Sequence, residues 1–399
     1  MNNSFLILGR EKAVSFAEIY QFLGQNDEKI ANFSKDLAII IDAEIGSFGP
    51  SILGSVPKSG FVIEKADKIN AGVLVSILQK FIKQGNKFHF GLSAYDLGGK
   101  VINQRELKAL GLGSKKLLKQ QNVSVRLVES KSGNLSSVDV VKNKLLDKGV
   151  ELCLMFADNG VLIGKTESVQ PFEDYSHRDF DRPTRDMKRG MIPPKLARSM
   201  INMSGVDDGG LILDPFCGIG TVLQEALLMK YKVIGTDVDE QAIRGAKKNI
   251  EWLLNSQKTS LPDYKIDAMD VRTLDKTLAE KSMDAIVTEF DLGPPLQEDE
   301  SRVKIEAIEK SLSEFYENAL GKMRFVLKDG KRTVIAWPYF VKQGIYISAF
   351  DKLDELGLRV VAPYPVEFQD VYPLTNRGTL LYGRPGQSVF REILILEKI

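Results

Sequence analysis

The stretch Leu211-Ile-Leu-Asp-Pro-Phe-Cys-Gly-Ile-Gly-Thr221 determines how the C-terminal half of this chain folds. It opens on a short apolar run, and the residues after it, Val222-Leu-Gln-Glu-Ala-Leu-Leu-Met229, carry apolar side chains at helical spacing. The pattern predicts a strand, a glycine turn and a helix. Because Gly218 and Gly220 lack a Cβ atom where the chain reverses, the backbone can approach a ligand closely and turn free N–H groups towards it. We expect a flat, polar ligand to bind at this turn.

Carboxylates follow the next two predicted strands. Lys232-Val-Ile-Gly-Thr-Asp237 ends in an acid that is placed to accept two hydrogen bonds from a ribose diol. Tyr264-Lys-Ile-Asp-Ala-Met269 is followed by Asp270, which we expect to accept a hydrogen bond from the exocyclic amine of adenine. A helix N-cap is the ordinary explanation for any single acid in such a place. Acids after successive strands, together with Asp214 after the first, favour a nucleoside ligand.

The glycine spacing distinguishes between two nucleoside cofactors. Gly218-Ile-Gly220 is all that remains of the G-x-G-x-x-G pattern of dinucleotide enzymes, and Asp214 precedes it by four residues. This spacing favours S-adenosylmethionine over NAD. The residues that we expect to bind the cofactor are Asp214, Phe216, Gly218, Gly220, Thr221, Asp237, Val238, Asp270 and Val271.

The order of predicted elements indicates an α/β protein with four segments. Residues 1–70 and 71–170 both read as α+β units, and residues 171–195, which contain four prolines in a charged context, read as a basic linker. From residue 196 to 399, strands and helices alternate as they do in a Rossmann-like parallel sheet with helices on both faces. Phe390-Arg-Glu-Ile-Leu-Ile-Leu-Glu397 is predicted to be a closing strand.

Composition excludes several classes of protein. With 43% hydrophobic and 27% charged residues, the 399-residue chain can bury enough apolar surface to fold, so wholesale disorder is excluded. The chain contains no apolar run of the roughly 20 residues that a membrane-spanning helix needs, and it starts without the pattern of a signal peptide. Its two cysteines and two histidines argue against disulfides and metal sites. We therefore expect a cytoplasmic protein that uses neither a membrane nor a metal.

Positive charge is concentrated in two segments, although the net charge of the whole chain is +1. Residues 96–148 contain eleven basic and five acidic residues, and residues 178–198 contain seven basic and three acidic residues. Such clusters are either solvated faces or surfaces that bind a polyanion such as RNA. The residues that we expect to contact RNA are Arg126, Arg182, Arg185, Lys188, Arg189 and Lys195.

Two C-terminal motifs together resemble a known family. Asp214-Pro-Phe-Cys-Gly-Ile-Gly-Thr221, with Arg189-Gly-Met-Ile-Pro-Pro-Lys-Leu-Ala-Arg198 upstream, is similar to the THUMP-domain class I RNA methyltransferases, specifically the archaeal and eukaryotic enzymes that methylate guanine N2 at position 10 of tRNA. The resemblance implies S-adenosylmethionine as cofactor, tRNA or another structured RNA as partner, and a base that is turned out of its helix for reaction.

The N-terminal half carries further similarity to the same family. Leu6-Ile-Leu-Gly-Arg10 and Val14-Ser-Phe-Ala-Glu18 resemble its opening, while Val125-Arg126 and Asn134-Leu-Ser-Ser-Val138 resemble its THUMP core. The resemblance therefore covers most of the chain. It implies a ferredoxin-like unit plus a THUMP domain that grip the acceptor end of tRNA, ahead of the class I methyltransferase domain.

The motif after the fourth strand of that domain departs from the family pattern. Enzymes that methylate exocyclic amines usually have Asp or Asn, two prolines and an aromatic residue there, because the polar side chain polarises the amine and the ring stacks on the base. Here the strand Asp284-Ala-Ile-Val-Thr288 is followed by Glu289-Phe-Asp-Leu-Gly293. Only the acid is kept, so we expect Glu289 to orient the amine, Phe290 to supply a stacking face and Asp291 to be a second acceptor.

Three hypotheses remain open from the residues. The chain is a divergent but active methyltransferase, or an inactive RNA-binding relative, or a methyltransferase with another nucleobase in RNA or DNA as its target. An active enzyme requires Glu289 or Asp291 within hydrogen-bond reach of a base whose nitrogen faces the cofactor methyl group. We expect the first of the three, with the exocyclic N2 of a guanine in tRNA as acceptor.

Overall fold

The computed structural model describes residues 3–40, 49–83, 87–130, 133–185, 191–257, 262–297 and 300–399. The chain forms two compact units. The first unit comprises Met1–Phe16 and Asn26–Glu173, and the second comprises Ala17–Gln25 and Asp174–Ile399. The division lies within the predicted linker, and the second unit also includes a short segment from near the N-terminus.

An eight-stranded sheet forms the centre of the first unit, with strand order β2-β3-β1-β4-β8-β7-β5-β6. Its strands are β1 (Ser4–Ile7), β2 (Ile30–Ser34), β3 (Leu37–Ile40), β4 (Lys58–Ala66), β5 (Phe88–Leu97), β6 (Val125–Val128), β7 (Gly149–Ala157) and β8 (Gly160–Val169). The helices that precede the second unit in the chain are α1 (Lys12–Phe22), α2 (Ala71–Gln79), α3 (Gln104–Gln120) and α4 (Ser137–Lys142). The second half of α1 belongs to the second unit. The observed unit is of the α+β class, as expected.

The predicted boundary at residue 70 does not divide this sheet. Strand β4, before the boundary, pairs antiparallel with β8, after it, from Lys58↔Val169 to Ala66↔Val161. The two predicted N-terminal units therefore share one sheet. Local sequence pattern does not show this, because the paired residues lie about a hundred positions apart in the chain.

A buried ion pair ties four strands of the first sheet together. Glu151 on β7 is fully buried and accepts hydrogen bonds from the Lys58 ammonium (2.6 Å), the Ser93 hydroxyl (2.6 Å) and the Thr166 hydroxyl (2.7 Å). The Lys58 ammonium also donates to the carbonyl oxygen of Leu135. Because both charges are paired and hydrogen-bonded, the pair can exist in a core where an isolated charge could not.

The second unit is built on a sheet with strand order β11-β10-β9-β12-β13-β16-β14, with β15 paired to β16. The strands are β9 (Leu211–Asp214), β10 (Lys232–Asp237), β11 (Tyr264–Ala268), β12 (Met283–Glu289), β13 (Leu327–Phe340), β14 (Leu358–Val360), β15 (Leu380–Tyr382) and β16 (Val389–Lys398). The helices are α5 (Phe172–Ser176), α6 (Pro194–Met203), α7 (Thr221–Leu228), α8 (Glu240–Gln257), α9 (Leu274–Thr277) and α10 (Arg302–Val326).

Strands β9 to β13 are parallel to their neighbours, and β16 runs antiparallel to β13. This arrangement confirms the predicted Rossmann-like sheet and its closing strand. Because β9, β10 and β12 are parallel, their carboxyl ends lie at the same edge of the sheet. The order of the strands along the chain changes direction between β9 and β12. In open α/β sheets, ligands bind outside this edge.

Part of the predicted linker is folded into the second unit. Arg178 lies in a π-helical turn, His177–Asp181, and its guanidinium is buried against Glu225 of α7, with 2.6 Å between Arg178 Nε and Glu225 Oε1. Arg198 of α6 donates to the other oxygen of Glu225 at 2.9 Å. These two members of the basic cluster are therefore paired in the interior and do not belong to an open basic surface.

No helix among the described residues is both long and apolar enough to cross a membrane. The described residues contain no group of three or more His, Cys, Asp or Glu side chains that could hold a metal ion.

Candidate functional site

A cavity of about 350 Å³ opens at the carboxyl edge of the second sheet. The turn between β9 and α7, the residues after β10, and the residues that end and follow β12 line this cavity. Met191 and Ile192, which precede α6, and Phe315 of α10 also line it. The parallel pairing of β9 with β10 and with β12 brings these segments to one place.

Most of the predicted cofactor-binding and catalytic residues lie in the cavity wall. They are Asp214, Phe216, Gly218, Thr221, Asp237, Val238, Glu289, Phe290 and Asp291. The predicted residues Gly220, Asp270 and Val271 are not among the described residues that line it. Separate segments, predicted separately, therefore converge on one cavity.

The glycine turn has the conformation that its sequence requires. Gly218 and Gly220 have left-handed φ angles of +51° and +85°, which glycine adopts without steric cost. The N–H of Gly218 donates to one oxygen of Asp237, and the N–H of Asp239 donates to the other, both at 2.9 Å. Each carboxylate oxygen can accept more than one hydrogen bond, so Asp237 is held in place with acceptor capacity to spare.

Asp214 is a buried acid in the cavity wall. Its side chain accepts hydrogen bonds from the Thr288 hydroxyl at 2.6 Å and from the Phe216 N–H at 3.2 Å. Burial, which disfavours the charged form, raises the pKa of Asp214 to about 7, although these two hydrogen bonds act in the opposite direction. Asp214 therefore titrates near neutral pH.

Replacement of Asp214 by asparagine should change how stability depends on pH. The folded protein keeps the proton on Asp214 to higher pH than the unfolded chain does, so ionisation disfavours folding. The free energy of unfolding of the wild type, relative to Asp214→Asn, should fall as the pH rises from 3.8 to about 7. The slope is at most about 1.4 kcal/mol per pH unit. Urea unfolding of both proteins across this range measures it, and a constant difference between them would contradict the assignment.

Glu289, the predicted amine-orienting acid, forms an ion pair with Arg391. The Arg391 guanidinium donates through Nε to Glu289 Oε1, and through Nη2 to the carbonyl oxygen of Met191 at 3.5 Å. Arg391 lies on β16, two strands away from β12, and the sequence analysis did not single it out. The only feature of the sequence that could have pointed to Arg391 is its place in the predicted closing strand, where polar and apolar residues alternate. The ion pair holds the Glu289 carboxylate in place at the cavity wall.

Phe290 does not offer the open stacking face that was expected. Its side chain is 1% exposed, and its ring packs against the rings of Phe216 (4.8 Å between centroids) and Tyr316 (4.5 Å). Phe290 is therefore a core residue that also borders the cavity. The more accessible rings are those of Phe216 and Phe315, which line the cavity and lie 5.9 Å apart. Phe315 was missed because it lies in a long helix, away from any motif.

The loop after β12 is fixed although it lacks the prolines of the family motif. The Tyr316 hydroxyl donates to the carbonyl oxygen of Asp291, and the Asp291 side chain accepts a hydrogen bond from the Gly293 N–H at 3.1 Å. Gly293 has a left-handed φ of +85°. These hydrogen bonds restrict the conformation of the loop, as the two proline rings do in the family motif. One oxygen of the exposed Asp291 is thereby engaged in the loop.

The structure gives Asp270 and Val271 structural roles. Asp270 caps a short 3-10 turn, Val271–Thr273, and its carboxylate also pairs with the Arg272 guanidinium at 3.0 Å. Val271 is 3% exposed and packs in the hydrophobic core. The ordinary explanation, a helix N-cap, is therefore observed for Asp270, while its contact with adenine remains a prediction.

Three of the residues predicted to contact RNA are exposed. Arg126 lies on β6, Arg185 stacks over the ring of Phe180 at 5.3 Å, and the Lys195 ammonium lies 5.2 Å from the ring of Tyr175. Lys188 and Arg189 lie outside the described residues.

Arg182 requires a correction. It is 3% exposed, and its guanidinium donates to the Thr221 hydroxyl at 2.7 Å and to the Met191 sulfur at 2.9 Å. A phosphate on an open surface cannot reach a side chain buried in this way. Because Thr221 and Met191 both line the cavity, Arg182 instead supports the cavity wall from behind, and we remove it from the RNA-binding set.

Comparison with known proteins supports a methyltransferase domain in the second unit. The model of the RMKL-like methyltransferase domain family matches residues 182–338. The tRNA (guanine(10)-N2)-dimethyltransferase of Methanothermobacter thermautotrophicus is 38% identical over 38% of this chain and 40% of its own length. The enzyme of the same name from Pyrococcus abyssi is 31% identical over 50% of each chain. The chain thus spans half or less of the length of these two relatives.

A solved structure extends the likeness of fold to the whole chain. TrmN from Thermus thermophilus matches over 100% of both chains with a TM-score of 0.54 and 14% identity, which is evidence for a shared fold alone. The family match includes the strand, the glycine turn and the loop after β12 that form the cavity. The part of this chain that forms the cavity is therefore similar to the RMKL-like methyltransferase domains.

Proposed function

We propose that this chain is an S-adenosylmethionine-dependent RNA methyltransferase that methylates the exocyclic N2 of a guanine in tRNA. The observation that carries the proposal is the convergence of the glycine turn, Asp237 and Glu289 on one cavity at the carboxyl edge of a Rossmann-like sheet. This edge is where nucleoside ligands bind in such folds. The glycine turn and Asp237 suit the cofactor, and Glu289 suits the amine that accepts the methyl group.

The residues present fit S-adenosylmethionine. Gly218 leaves open space where a Cβ atom would stand, so a ligand can approach the backbone of the turn. Asp237, held by two backbone N–H groups, can accept hydrogen bonds from the ribose diol. The backbone N–H groups at the start of α7 suit the carboxylate of the methionine part. When bound, the cofactor supplies a methyl group on a positively charged sulfur.

The acceptor side of the cavity suits an exocyclic amine. Glu289 is 17% exposed and paired with Arg391, so its side-chain oxygens can accept a hydrogen bond from the guanine N2 amine. That bond increases electron density on the nitrogen and turns its lone pair towards the methyl group. The rings of Phe216 and Phe315 provide apolar surface against which an extruded base can pack. No covalent enzyme intermediate is required.

Exposed basic residues support RNA as the substrate. Those in the first unit include Arg105, Lys116, Lys119, Arg126, Lys142 and Lys148. Lys and Arg side chains on an open face neutralise phosphate groups, which supplies most of the affinity for nucleic acid. The matched relatives carry names that specify guanine N2 of tRNA, which supports the finer choice of acceptor.

Methyl transfer to a tRNA pool tests the proposal. Purified protein is incubated with unmodified tRNA transcripts and S-adenosylmethionine that carries a labelled methyl group, and the digested nucleosides are resolved by mass spectrometry. We expect label in N2-methylguanosine or its dimethyl form. Label in another nucleoside would overturn the choice of acceptor, and the absence of label from every tRNA tested would overturn the assignment as a tRNA methyltransferase.

A further inference from the structure

Two segments of the second unit meet at the carboxyl edge of its parallel strands. Residues 339–350 contain the end of β13 and the turn after it, and residues 374–391 contain β15, the turn into β16 and the start of β16. The two strands pair antiparallel as far as Phe340↔Val389, and the Val341 N–H then donates to the carbonyl oxygen of Ser388 at 3.0 Å. The two segments therefore lie side by side, and we call their surface the β13–β16 edge.

The β13–β16 edge lies next to the acceptor side of the cavity. Glu289 pairs in register with Ala336 of the parallel strand β13, and Arg391, which holds Glu289, belongs to β16. Tyr339 comes three residues after Ala336, which places it about 10 Å further along the strand. Neither Tyr339 nor Tyr346 is among the described residues that line the cavity. The edge is therefore a separate surface, within reach of the nucleotides that flank a base held in the cavity.

The charges of the β13–β16 edge have one sign. Its two segments contain no Asp or Glu, and their basic residues are Lys342, Arg377, Arg384 and Arg391. Lys342 and Arg384 are exposed, one on each turn. Glu300, whose backbone carbonyl contacts the turn after β13, is paired with Lys304 at 2.7 Å. Exposed cations without intervening acids suit a polyanion.

Aromatic rings accompany these charges. The rings of Tyr339 and Tyr346 lie 4.3 Å apart between centroids, and both side chains are partly exposed. The Arg377 guanidinium lies 4.8 Å from the centroid of the Tyr346 ring and 4.3 Å from that of the Phe350 ring. It donates to the carbonyl oxygen of Ile347 at 2.9 Å, which fixes its place beside the rings. Planar groups of this kind are the platforms on which the bases of single-stranded nucleic acid stack.

We propose that the β13–β16 edge binds the RNA nucleotides that flank the base to be methylated. The rings of Tyr339 and Tyr346 stack on a flanking base, and the side chains of Lys342 and Arg384 contact phosphates. This inference rests on the proposed function and adds a binding surface outside the cavity. Charge alone would also suit an acidic protein, but paired rings beside exposed cations favour a nucleic acid, which has both bases and phosphates.

Binding of an unmodified tRNA transcript, measured by filter binding, tests the stacking role. Tyr339→Leu removes the ring and keeps apolar bulk. It should weaken binding about five- to tenfold, the expected size for the loss of one stacked base. Tyr339→Phe is the matched variant, because it keeps the ring, and it should bind within about twofold of the wild type.

Removal of charge gives a second arm, which remains informative should Tyr339→Leu not fold. The double variant Lys342→Gln/Arg384→Gln should weaken binding and make it less dependent on salt. The slope of log affinity against log salt concentration should fall by about 1.4, because each phosphate contact of a single strand contributes about 0.7. The control, Lys230→Gln/Lys232→Gln, removes two exposed lysines at the amino end of β10 and should leave the slope unchanged.

The outcomes separate this inference from the proposed function. The affinity for S-adenosylmethionine should be the same in every variant, because the β13–β16 edge lies outside the cavity. Wild-type affinity for tRNA in both Tyr339→Leu and the double variant overturns the inference alone. A defect in the double variant only overturns it in favour of a surface for polyanions in general, acidic proteins included. Failure of the folded wild-type protein to bind any tRNA overturns the proposed function with it.

Discussion

Replacement of Glu289 by alanine should lower kcat for methyl transfer by about 100- to 1,000-fold, the usual cost of removing one preorganised group that acts in a transition state. The carboxylate lies in the cavity wall, paired with Arg391, and it is the acid that remains from the family motif. Its loss removes the acceptor that polarises the amine. Glu289→Gln keeps an oxygen in the same place and should recover part of the rate.

The affinity for cofactor separates this role from a structural one. S-adenosylmethionine should bind the Glu289→Ala variant within about threefold of the wild-type affinity, because one partly neutralised charge near the ligand is worth less than 1 kcal/mol. Steady-state rates at saturating cofactor and tRNA measure kcat, and calorimetry measures the affinity. The control is Glu306→Ala, which alters an exposed acid of α10. A Glu289→Ala protein with the full rate of transfer would refute the role of this acid.

Replacement of Asp237 by alanine should weaken binding of S-adenosylmethionine by about 100-fold or more. Two hydrogen bonds from a diol to a carboxylate are together worth about 3 kcal/mol, and each factor of ten in affinity corresponds to about 1.4 kcal/mol. The same change frees the N–H groups of Gly218 and Asp239, which should add to the loss by loosening the turn.

Asp237→Asn is the matched variant for this prediction. Its amide keeps one oxygen for the backbone or the diol, so an intermediate affinity is expected. Circular dichroism and thermal unfolding establish that each variant is folded before it is titrated. An Asp237→Ala protein that binds the cofactor with unchanged affinity would show that the ribose lies elsewhere.

Local pattern predicted the centre of the site well. The strand, glycine turn and helix around Asp214 are observed as β9, the turn and α7, and Asp237 ends β10 as expected. These features follow from short-range rules, because apolar periodicity defines the elements and glycine is needed where φ is positive. Parallel order then brings the strand ends together, so the cavity could be predicted without coordinates.

The partners of charged residues could not be predicted in the same way. Arg178 and Arg182 were assigned to a basic cluster, yet Glu225 and Thr221 hold them in the interior. Arg391 reaches Glu289 across 102 positions of sequence. A residue's charge shows that it needs a partner or water, but only the fold determines which of the two it has. The burial of Phe290 was not expected either, because only the fold determines whether an aromatic ring packs against other rings or faces a cavity.

Calorimetric titration of the wild-type protein with S-adenosylmethionine tests the central claim most directly. The claim is that the cavity bounded by the glycine turn, Asp237 and Glu289 is the cofactor site. The account predicts saturable binding of one cofactor molecule per chain, with binding strongly weakened in the Asp237→Ala protein. No binding by folded wild-type protein, or binding that the substitution leaves unchanged, would contradict it.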